Sequence, residues 1–189
     1  MKKTSKKKKG LFMNKRSFLY YGELETPVGP ISLVSTDQGL CRIDFGNVRD
    51  LTSLWNNWKK KSFLCGEFIK NEDKVFEAKC QLEEYFHKQR TAFSLEFDLY
   101  GTPFQRKVWK ALYDSTPYGE IQTYKSLAES IQAPKAIRAV GGAINKNPIS
   151  IVIPCHRVIG SNGSLVGYNG GMDKKKYLLH LEEAPITQK

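Results

Sequence analysis

The chain has 189 residues, of which 40% are apolar and 26% are charged. This length and composition exclude a disulfide-stabilised miniprotein and a fully disordered chain, and they allow one ordinary domain or two small ones. Lys and Arg exceed Asp and Glu by 30 to 19, so the net charge of +11 favours nucleic acid, an anionic membrane surface or an acidic protein as partner.

The positive charge is unevenly distributed along the chain. Residues 1–16 hold 8 basic and no acidic residues, residues 17–98 hold 10 basic and 13 acidic ones, and residues 99–189 hold 12 basic and 6 acidic ones. The three segments therefore carry charges of +8, −3 and +6. Like-charge repulsion predicts that the first segment is a disordered tail, which we interpret as a nonspecific electrostatic arm.

The sequence carries no evident signal for a membrane span, for secretion or for a metal site. No apolar stretch approaches the roughly 18 residues of a membrane span, and no apolar segment follows the Lys-rich start. The cysteines form no Cys-x-x-Cys pair, and no histidine is spaced for zinc. We therefore expect a cytoplasmic protein in a reducing compartment, with no metal, no membrane association and four free thiols. These belong to Cys41, Cys65, Cys80 and Cys155.

Residues 17–98 are predicted to form a small α/β domain. Three short runs rich in aromatic and branched residues are separated by turn-forming segments, which predicts an antiparallel sheet. These strands are expected at residues 18–24, 31–35 and 40–45. Helices are predicted at about 51–63 and 73–88, because apolar residues of the second recur at spacings of three and four. A last strand at 95–97 is expected to complete this half.

Residues 99–189 are predicted to be mostly helical. The order Thr102-Pro-Phe-Gln105 is typical of a capping box with proline in the first turn, so a helix should begin there. Thr123 can cap a short helix at 124–131, and a second helix is predicted at 135–145. Two short helices joined by a tight turn predict a helix-turn-helix.

The second helix of this pair has an unusually small surface. It contains Ala139, Gly141, Gly142 and Ala143, although a glycine costs about 1 kcal/mol relative to alanine inside a helix. Close approach of another backbone would compensate for this cost. The residues leave open whether that backbone belongs to the protein core or to DNA.

A cysteine and a histidine follow a predicted buried strand at 149–153. Cys155 and His156 are adjacent, and a thiolate becomes a nucleophile when a neighbouring base takes its proton. Adjacent residues of an extended chain point to opposite faces, so joint action needs a backbone turn at Pro154 or a bridging water. Taken alone, the dipeptide favours an inert buried cysteine.

Six short motifs follow one another through the second half of the chain. They are Thr123-Tyr-Lys-Ser-Leu-Ala128, Arg138-Ala-Val-Gly-Gly-Ala143, Asn147-Pro148, Ile153-Pro-Cys-His-Arg-Val158, Gly167-Tyr-Asn-Gly-Gly171, and Leu178-Leu179 followed by Glu182. In this order and spacing, residues 99–183 resemble the catalytic domain of the O6-alkylguanine-DNA alkyltransferases, or methylated-DNA–protein-cysteine methyltransferases. Residues 18–97 resemble the family's N-terminal domain. The resemblance implies a ribonuclease H-like α/β domain followed by a mostly α-helical domain with a winged-helix-like helix-turn-helix.

The resemblance implies direct repair of alkylated DNA. Cys155 would take the alkyl group from O6 of guanine in one in-line displacement, and the activity would extend to O4-methylthymine. His156 would accept the thiol proton through a water, while Glu182 would orient and polarise the imidazole. Nothing in the sequence offers a way to remove the alkyl group from the thioether, so each molecule would react once. No metal or organic cofactor is required.

The same resemblance implies how the lesion and the DNA are held. Tyr124 would donate to the ring nitrogen of the departing guanine, Asn169 would help to stabilise its oxygen, and Tyr168 would form a pocket wall. The carbonyl groups of Val158 and Cys155 would read the exocyclic amine.

The partner implied is double-stranded DNA that contains O6-alkylguanine, bound by a monomer. The base must leave the stack before a thiolate can reach it, and Arg138 would occupy the vacated space. The recognition helix would enter the minor groove, which explains the small surface of Ala139, Gly141 and Gly142. Asn147 would be the hinge that joins this helix to the active-site turn.

The remaining motifs have plainer interpretations. Asn162-Gly163, between Val158-Ile159 and Leu165-Val166, predicts a hairpin turn that shapes the pocket loop. Lys174, Lys175 and Lys176 could contact phosphates, but a solvated charge run is the favoured interpretation. The other three cysteines, His87 and His180 are predicted to be packing or surface residues.

Three functions are compatible with the sequence. The first is stoichiometric repair by alkyl transfer. The second is lesion binding without transfer, although proteins of that kind lack the reactive cysteine and Cys155 is present. The third is a cysteine hydrolase built on Cys155 and His156, which would need an oxyanion site that the sequence does not identify.

Overall fold

A computed structural model describes residues 18–186 of the chain. The predicted basic tail at 1–16 lies outside the described residues. Among residues 18–186, no helix is both long enough and apolar enough to span a bilayer.

The N-terminal half contains a four-stranded sheet with the order β3-β2-β1-β4. Strands β1 (Leu19–Leu24), β2 (Ile31–Ser35) and β3 (Leu40–Phe45) pair antiparallel, as the sequence predicts. Strand β4 (Phe68–Lys70) was not predicted, and it pairs parallel to β1 through Leu19 and Phe68. Three mostly exposed residues give too short a pattern to identify such a strand from sequence.

Two helices pack on this sheet. Helix α1 (Val48–Lys61) begins three residues before its predicted start, and α2 (Phe76–Phe86) is shorter at both ends than predicted. The predicted strand at 95–97 is wrong, because Phe97 makes only an isolated bridge to Leu40 at the first residue of β3.

The C-terminal half is mainly helical, as predicted. Helix α3 (Pro103–Ser115) has both hydrogen bonds of the predicted capping box between Thr102 and Gln105. Thr123 caps a short helix at 124–130, and this helix and the next one, at 137–144, form the helix-turn-helix. The remaining elements are β5 (Gln122–Thr123), α4 (Tyr124–Ser130), α5 (Ile137–Ile144), β6 (Val158–Ile159) and α6 (Met172–Leu181).

The predicted strand at 149–153 is also wrong, although these residues are buried. Only Ile149 bridges the sheet, at Ile43 of β3. The chain then turns on itself, because the amide of Val152 donates to Ser150 and that of Ile153 donates to Ile149. Ile151 has φ +72°, an unusual conformation for a β-branched residue. A run of four apolar residues and one serine cannot distinguish such a buried turn from a strand.

The predicted hairpin after β6 is only partly correct. Gly163 has φ +78° and the amide of Gly160 donates to the carbonyl of Ser164, so the turn exists. However, Leu165 and Val166 form no strand. Strand β6 pairs instead in parallel with β5.

Alternate residues of the sheet contribute to two apolar clusters. Leu19, Val34 and Cys41 pack against Trp55 of α1 on one face. On the other face, strand residues join α2 and the C-terminal helices in one continuous core. Its members include Leu33, Ile43, Tyr85, Val108, Leu112, Ile149, Leu178 and Leu181. Cys155 belongs to the same core, so the turn that carries it lies where the two halves of the chain meet.

Candidate active site

The turn after Pro154 sets the position of the cysteine. Cys155, His156 and Arg157 form a single 3-10 turn, and the amide of Cys155 donates to the carbonyl of Ile153. All three residues are buried. The backbone turn that joint action of Cys155 and His156 requires is therefore present at Pro154.

Asn147 links the sulfur to the buried turn before it. Its side-chain nitrogen donates to the Cys155 Sγ at 3.0 Å and to the carbonyl of Ile153 at 2.8 Å. Its side-chain oxygen accepts from the amide of Ile149 at 3.1 Å. Asn147 lies three residues after the end of α5, so this side chain connects the segment that follows α5 to the turn that carries Cys155.

The Cys155 thiol is protonated at neutral pH in this environment. Burial raises its pKa to about 11, against smaller lowering effects of the Asn147 hydrogen bond and the Lys175 charge. A nucleophilic thiolate therefore requires a base that takes the proton.

His156 and Glu182 form a fully buried pair. The His156 Nε2 lies 2.7 Å from the Glu182 Oε1. Burial lowers the pKa of His156, which favours the neutral ring. For Glu182, burial acts to raise the pKa, but hydrogen bonds and charges of His156 and Arg157 outweigh it and hold the value at about 2.

These protonation states fix the tautomer of the imidazole. An ionised Glu182 can only accept, so the Nε2 of His156 carries the proton and donates it. The Nδ1 of the neutral ring is then an acceptor. This atom is buried and has no hydrogen-bond partner among the described residues. His156 is thus arranged as a base with a free lone pair.

Two further residues bind Glu182, and sequence reasoning missed both. The Arg157 Nε donates to the Glu182 Oε2 at 2.8 Å, and the Nη2 donates to the Oε1 at 3.0 Å. The hydroxyl of Tyr85, from α2, donates to the Oε1 at 2.6 Å. Arg157 lies inside the Pro-Cys-His-Arg-Val motif and could have been noticed, whereas Tyr85 looks like one more residue of an apolar helix face.

Lys175 corrects the interpretation of residues 174–176 as a solvated run. Lys176 is exposed, but Lys175 is completely buried, and its ammonium donates to the carbonyls of Val158 at 2.6 Å and Val166 at 3.0 Å. Burial lowers its pKa to about 8. Its place three residues before Leu178, on the buried face of α6, is a signal that could have identified it.

The predicted lesion-pocket residues have different degrees of exposure. Val158 is buried in β6, and the half-buried Tyr124 donates to the carbonyl of Val166 at 3.3 Å. The ring of Tyr168 packs edge-on against His156, with centroids 6.4 Å apart. Its buried hydroxyl has no hydrogen-bond partner within residues 18–186. Asn169 is exposed.

Helix α5 presents a bare outer surface. Arg138, Ala139 and Gly142 are exposed, whereas Val140, Ala143 and Ile144 pack inward. A Cβ added to Gly142 would have no described atom within 4 Å, and one added to Gly141 would touch the Tyr124 ring at 3.7 Å. The protein core therefore does not require Gly142.

The described residues hold no group of three or more His, Cys, Asp or Glu side chains that could bind a metal ion. Cys41, Cys65, Cys80 and Cys155 are all free thiols. Of these, only Cys155 adjoins the buried His156 and Glu182 pair.

Known proteins match both halves of the chain. The family model for the ribonuclease-like domain of 6-O-methylguanine DNA methyltransferase matches residues 19–99, and the model for its DNA binding domain matches residues 103–184. The methylated-DNA–protein-cysteine methyltransferase of Methanosarcina barkeri is 47% identical over 165 residues, which cover 87% of this chain and 98% of that protein. A constitutive protein of the same name from Bacillus subtilis is 40% identical over 171 residues, which cover 90% of this chain and 99% of that protein.

A solved structure gives the same result. The crystal structure of Mycobacterium tuberculosis OGT in complex with DNA has a TM-score of 0.74 and 39% sequence identity, and the match covers 88% of this chain and 95% of that chain. The predicted fold class, a ribonuclease H-like α/β domain and a helical DNA-binding domain, is therefore confirmed.

Proposed function

Because the chain belongs to the 6-O-methylguanine DNA methyltransferase family, we propose that it repairs DNA by moving the methyl group of O6-methylguanine to the sulfur of its own Cys155. It is a DNA-repair methyltransferase of the methylated-DNA–protein-cysteine type. The observation that carries the assignment to Cys155 is the buried turn on which this thiol adjoins a neutral His156 held by Glu182.

The transfer step follows from the protonation states of the site. The thiol proton passes through a water to the free Nδ1 of His156, and the thiolate attacks the methyl carbon opposite the O6 of guanine. The new S–C bond forms as the C–O6 bond breaks, and that electron pair stays on the guanine. Tyr124 donates a hydrogen bond to the guanine ring nitrogen and so stabilises the negative charge that builds up on the departing base, which takes up a proton from water after the transfer. Asn147 directs the sulfur throughout.

Recognition of the lesion uses the edges of the flipped base. The Val158 and Cys155 carbonyls accept from the exocyclic amine, Tyr168 covers one face and Asn169 assists at the oxygen. Lys175 supports this reading, because its ammonium holds the Val158 carbonyl through a 2.6 Å hydrogen bond. O4-methylthymine is a second substrate of the same pocket.

The recognition helix α5 enters the minor groove of double-stranded DNA, and Arg138 fills the space left by the flipped base. The exposed, nearly bare surface of Ala139 and Gly142 supports this docking, since a narrow groove admits little more than backbone. The +6 charge of residues 99–189 favours the approach to phosphates.

The protein acts once, as a monomer, in the reducing cytoplasm, and it requires no cofactor. The thioether product is stable, so each molecule removes one alkyl group. Four free thiols support a reducing compartment. In this proposal, residues 17–98 form the N-terminal domain, and residues 99–189 form the DNA-binding and transfer domain.

The decisive experiment is incubation with a duplex that contains one O6-methylguanine, followed by peptide mass mapping. We expect one methyl group on Cys155 and none on Cys41, Cys65 or Cys80, with a yield that never exceeds one methyl group per protein. Cys155→Ser should bind the duplex without an adduct. Binding by the wild type without an adduct would contradict transfer, and repeated turnover of an ester or amide would favour a cysteine hydrolase.

A further inference from the structure

Tyr85 belongs to the N-terminal half of the chain, but its hydroxyl reaches the acid of the active site. The side chain is completely buried and donates to the Glu182 Oε1 at 2.6 Å. The same oxygen accepts from the His156 Nε2 at 2.7 Å and from the Arg157 Nη2 at 3.0 Å. One carboxylate oxygen therefore receives three donors, and only Tyr85 comes from the other domain.

The direction of this hydroxyl is fixed by aromatic neighbours. The Tyr85 ring lies between those of Phe86, Phe93 and Tyr118, at centroid distances of 5.3, 5.5 and 6.0 Å. Burial, followed by the charge of Glu182, raises the pKa of the phenol well above its usual value. Tyr85 is therefore a permanent donor that cannot turn away from Glu182 without disturbing the packed cluster.

We propose that Tyr85 is a positioning residue for methyl transfer, which holds the Glu182 carboxylate against His156 and reduces the negative charge that His156 meets at the Oε1. The inference rests on the proposed function, because it concerns the base that activates Cys155. It makes the N-terminal domain a direct contributor to the active site.

The consequence is a specific change in pH dependence. The charged and titratable groups that face His156 are Glu182 and Lys175 of the α6 region, Arg157 and Cys155 of its own turn, and Tyr168. Without the Tyr85 donor, the Oε1 becomes a stronger acceptor for the Nε2 proton of His156. The protonated imidazole is then favoured, so the pKa of His156 rises.

Tyr85→Phe in the full-length protein tests the proposal by single-turnover transfer rates across pH. The variant loses the hydrogen bond that holds the Glu182 carboxylate against His156. We therefore expect the rate of methyl transfer at neutral pH to be roughly tenfold lower. The acidic limb of the pH–rate profile should move to higher pH, because His156 with a raised pKa stays protonated, and inactive as a base, up to a higher pH. Replacement of Tyr85 by fluorotyrosine strengthens the donor and should move the limb to lower pH.

Tyr113→Phe is the matched control. The hydroxyl of Tyr113, in α3, also joins the two halves, since it donates to the carbonyl of Phe93 at 2.5 Å. It has no contact with Glu182 within the described residues, so its removal should leave both the rate and the limb unchanged.

The possible outcomes separate this inference from the proposed function. If the wild type transfers no methyl group, the proposed function fails. If the wild type transfers and Tyr85→Phe keeps its rate, or is slower with an unshifted acidic limb, Tyr85 has only a structural role and the inference is overturned. The fluorotyrosine variant gives an independent answer if Tyr85→Phe does not fold.

Discussion

The buried charges of Glu182 and Lys175 are compensated differently. The Glu182 carboxylate is paired with Arg157 at 2.8 Å. The Lys175 ammonium contacts the carbonyls of Val158 and Val166, and no carboxylate among residues 18–186 lies within 4.0 Å of it. A thiolate at Cys155 would be the first negative charge near this ammonium. Lys175 therefore favours the ionised sulfur on which transfer depends.

Lys175→Met should slow methyl transfer by about tenfold or more, because the thiolate loses its nearby cation and the Val158 carbonyl loses its donor. Single-turnover rates measure the effect. The control is Lys176→Met, which removes an exposed ammonium one position later and should leave the rate unchanged. Equal slowing by both variants would contradict a specific role for Lys175.

Lys175 should also make the free energy of unfolding depend on pH. The pKa of Lys175 is about 8 in the folded protein, against an ordinary value of 10.5 for a lysine side chain. Between these values the unfolded chain binds more protons, so the free energy of unfolding rises with pH. From pH 7.5 to 10, urea denaturation should show a gain of about 2 kcal/mol for the wild type over Lys175→Met. An equal response of the two proteins would contradict the lowered pKa.

Residues of the site were predictable where a local motif contains them. Cys155, His156 and Glu182 were found through motifs, although their roles remain proposals. Tyr85 could not be found, because its contact with Glu182 spans 97 positions and its sequence context is that of an apolar helix face. Lys175 was misread because adjacent lysines look alike in sequence, whereas only one of them points inward.

Helix α5 combines a weak intrinsic propensity with a surface that the core leaves free. Val140, Ala143 and Ile144 anchor its inner face, and the Trp109 indole donates to the Ala143 carbonyl at 2.8 Å. A Cβ atom added to Gly142 would have no atom of the described residues within 4 Å. Gly142 therefore destabilises the helix, and no packing contact of the folded protein explains its presence. We interpret this glycine as a requirement of DNA binding.

Gly142→Ala should have opposite effects on stability and on DNA binding. The free energy of unfolding should increase by about 1 kcal/mol, since alanine favours the helix. If α5 docks in the groove as proposed, affinity for duplex DNA should fall by about tenfold, because the added methyl group would lie between the helix and the groove floor. Thermal denaturation and fluorescence anisotropy measure the two effects.

Ser53→Ala in α1 is the control for this comparison. It replaces another exposed helical residue by alanine, but in the N-terminal half of the chain. It should improve stability slightly and leave DNA affinity unchanged. If Gly142→Ala binds DNA as well as the wild type, the outer face of α5 does not approach the duplex at this residue.

Periodic elements were predictable and irregular ones were not. Strands β1 to β3 and helices α1 to α5 follow from alternation, helical spacing and capping residues. The segments 95–97 and 149–153 resemble strands in composition, but each makes only one bridge to the sheet. In the second, the side chain of Asn147 replaces a neighbouring strand as the hydrogen-bond partner of the backbone. Hydrogen bonds from a side chain to the backbone leave no periodic signal in the sequence.

At the scale of the whole molecule, the two halves share one apolar core and one active site. The core extends from Leu33 and Ile43 in the sheet to Val108 and Leu112 in α3. Tyr85 and Tyr113 add hydrogen bonds across the same boundary. Separation of the halves would expose much of this surface, so neither half is expected to remain folded when the other unfolds.

Trp109→Phe provides a direct test of this cooperativity. It leaves Trp55 and Trp58 of α1 as the only tryptophans, so fluorescence reports on the N-terminal half. Far-UV circular dichroism reports on the whole chain, including α3 to α6. During urea denaturation both signals should follow one transition with the same midpoint. Separate midpoints would show that the halves unfold independently. The shared core would then couple the two halves less strongly than its burial implies.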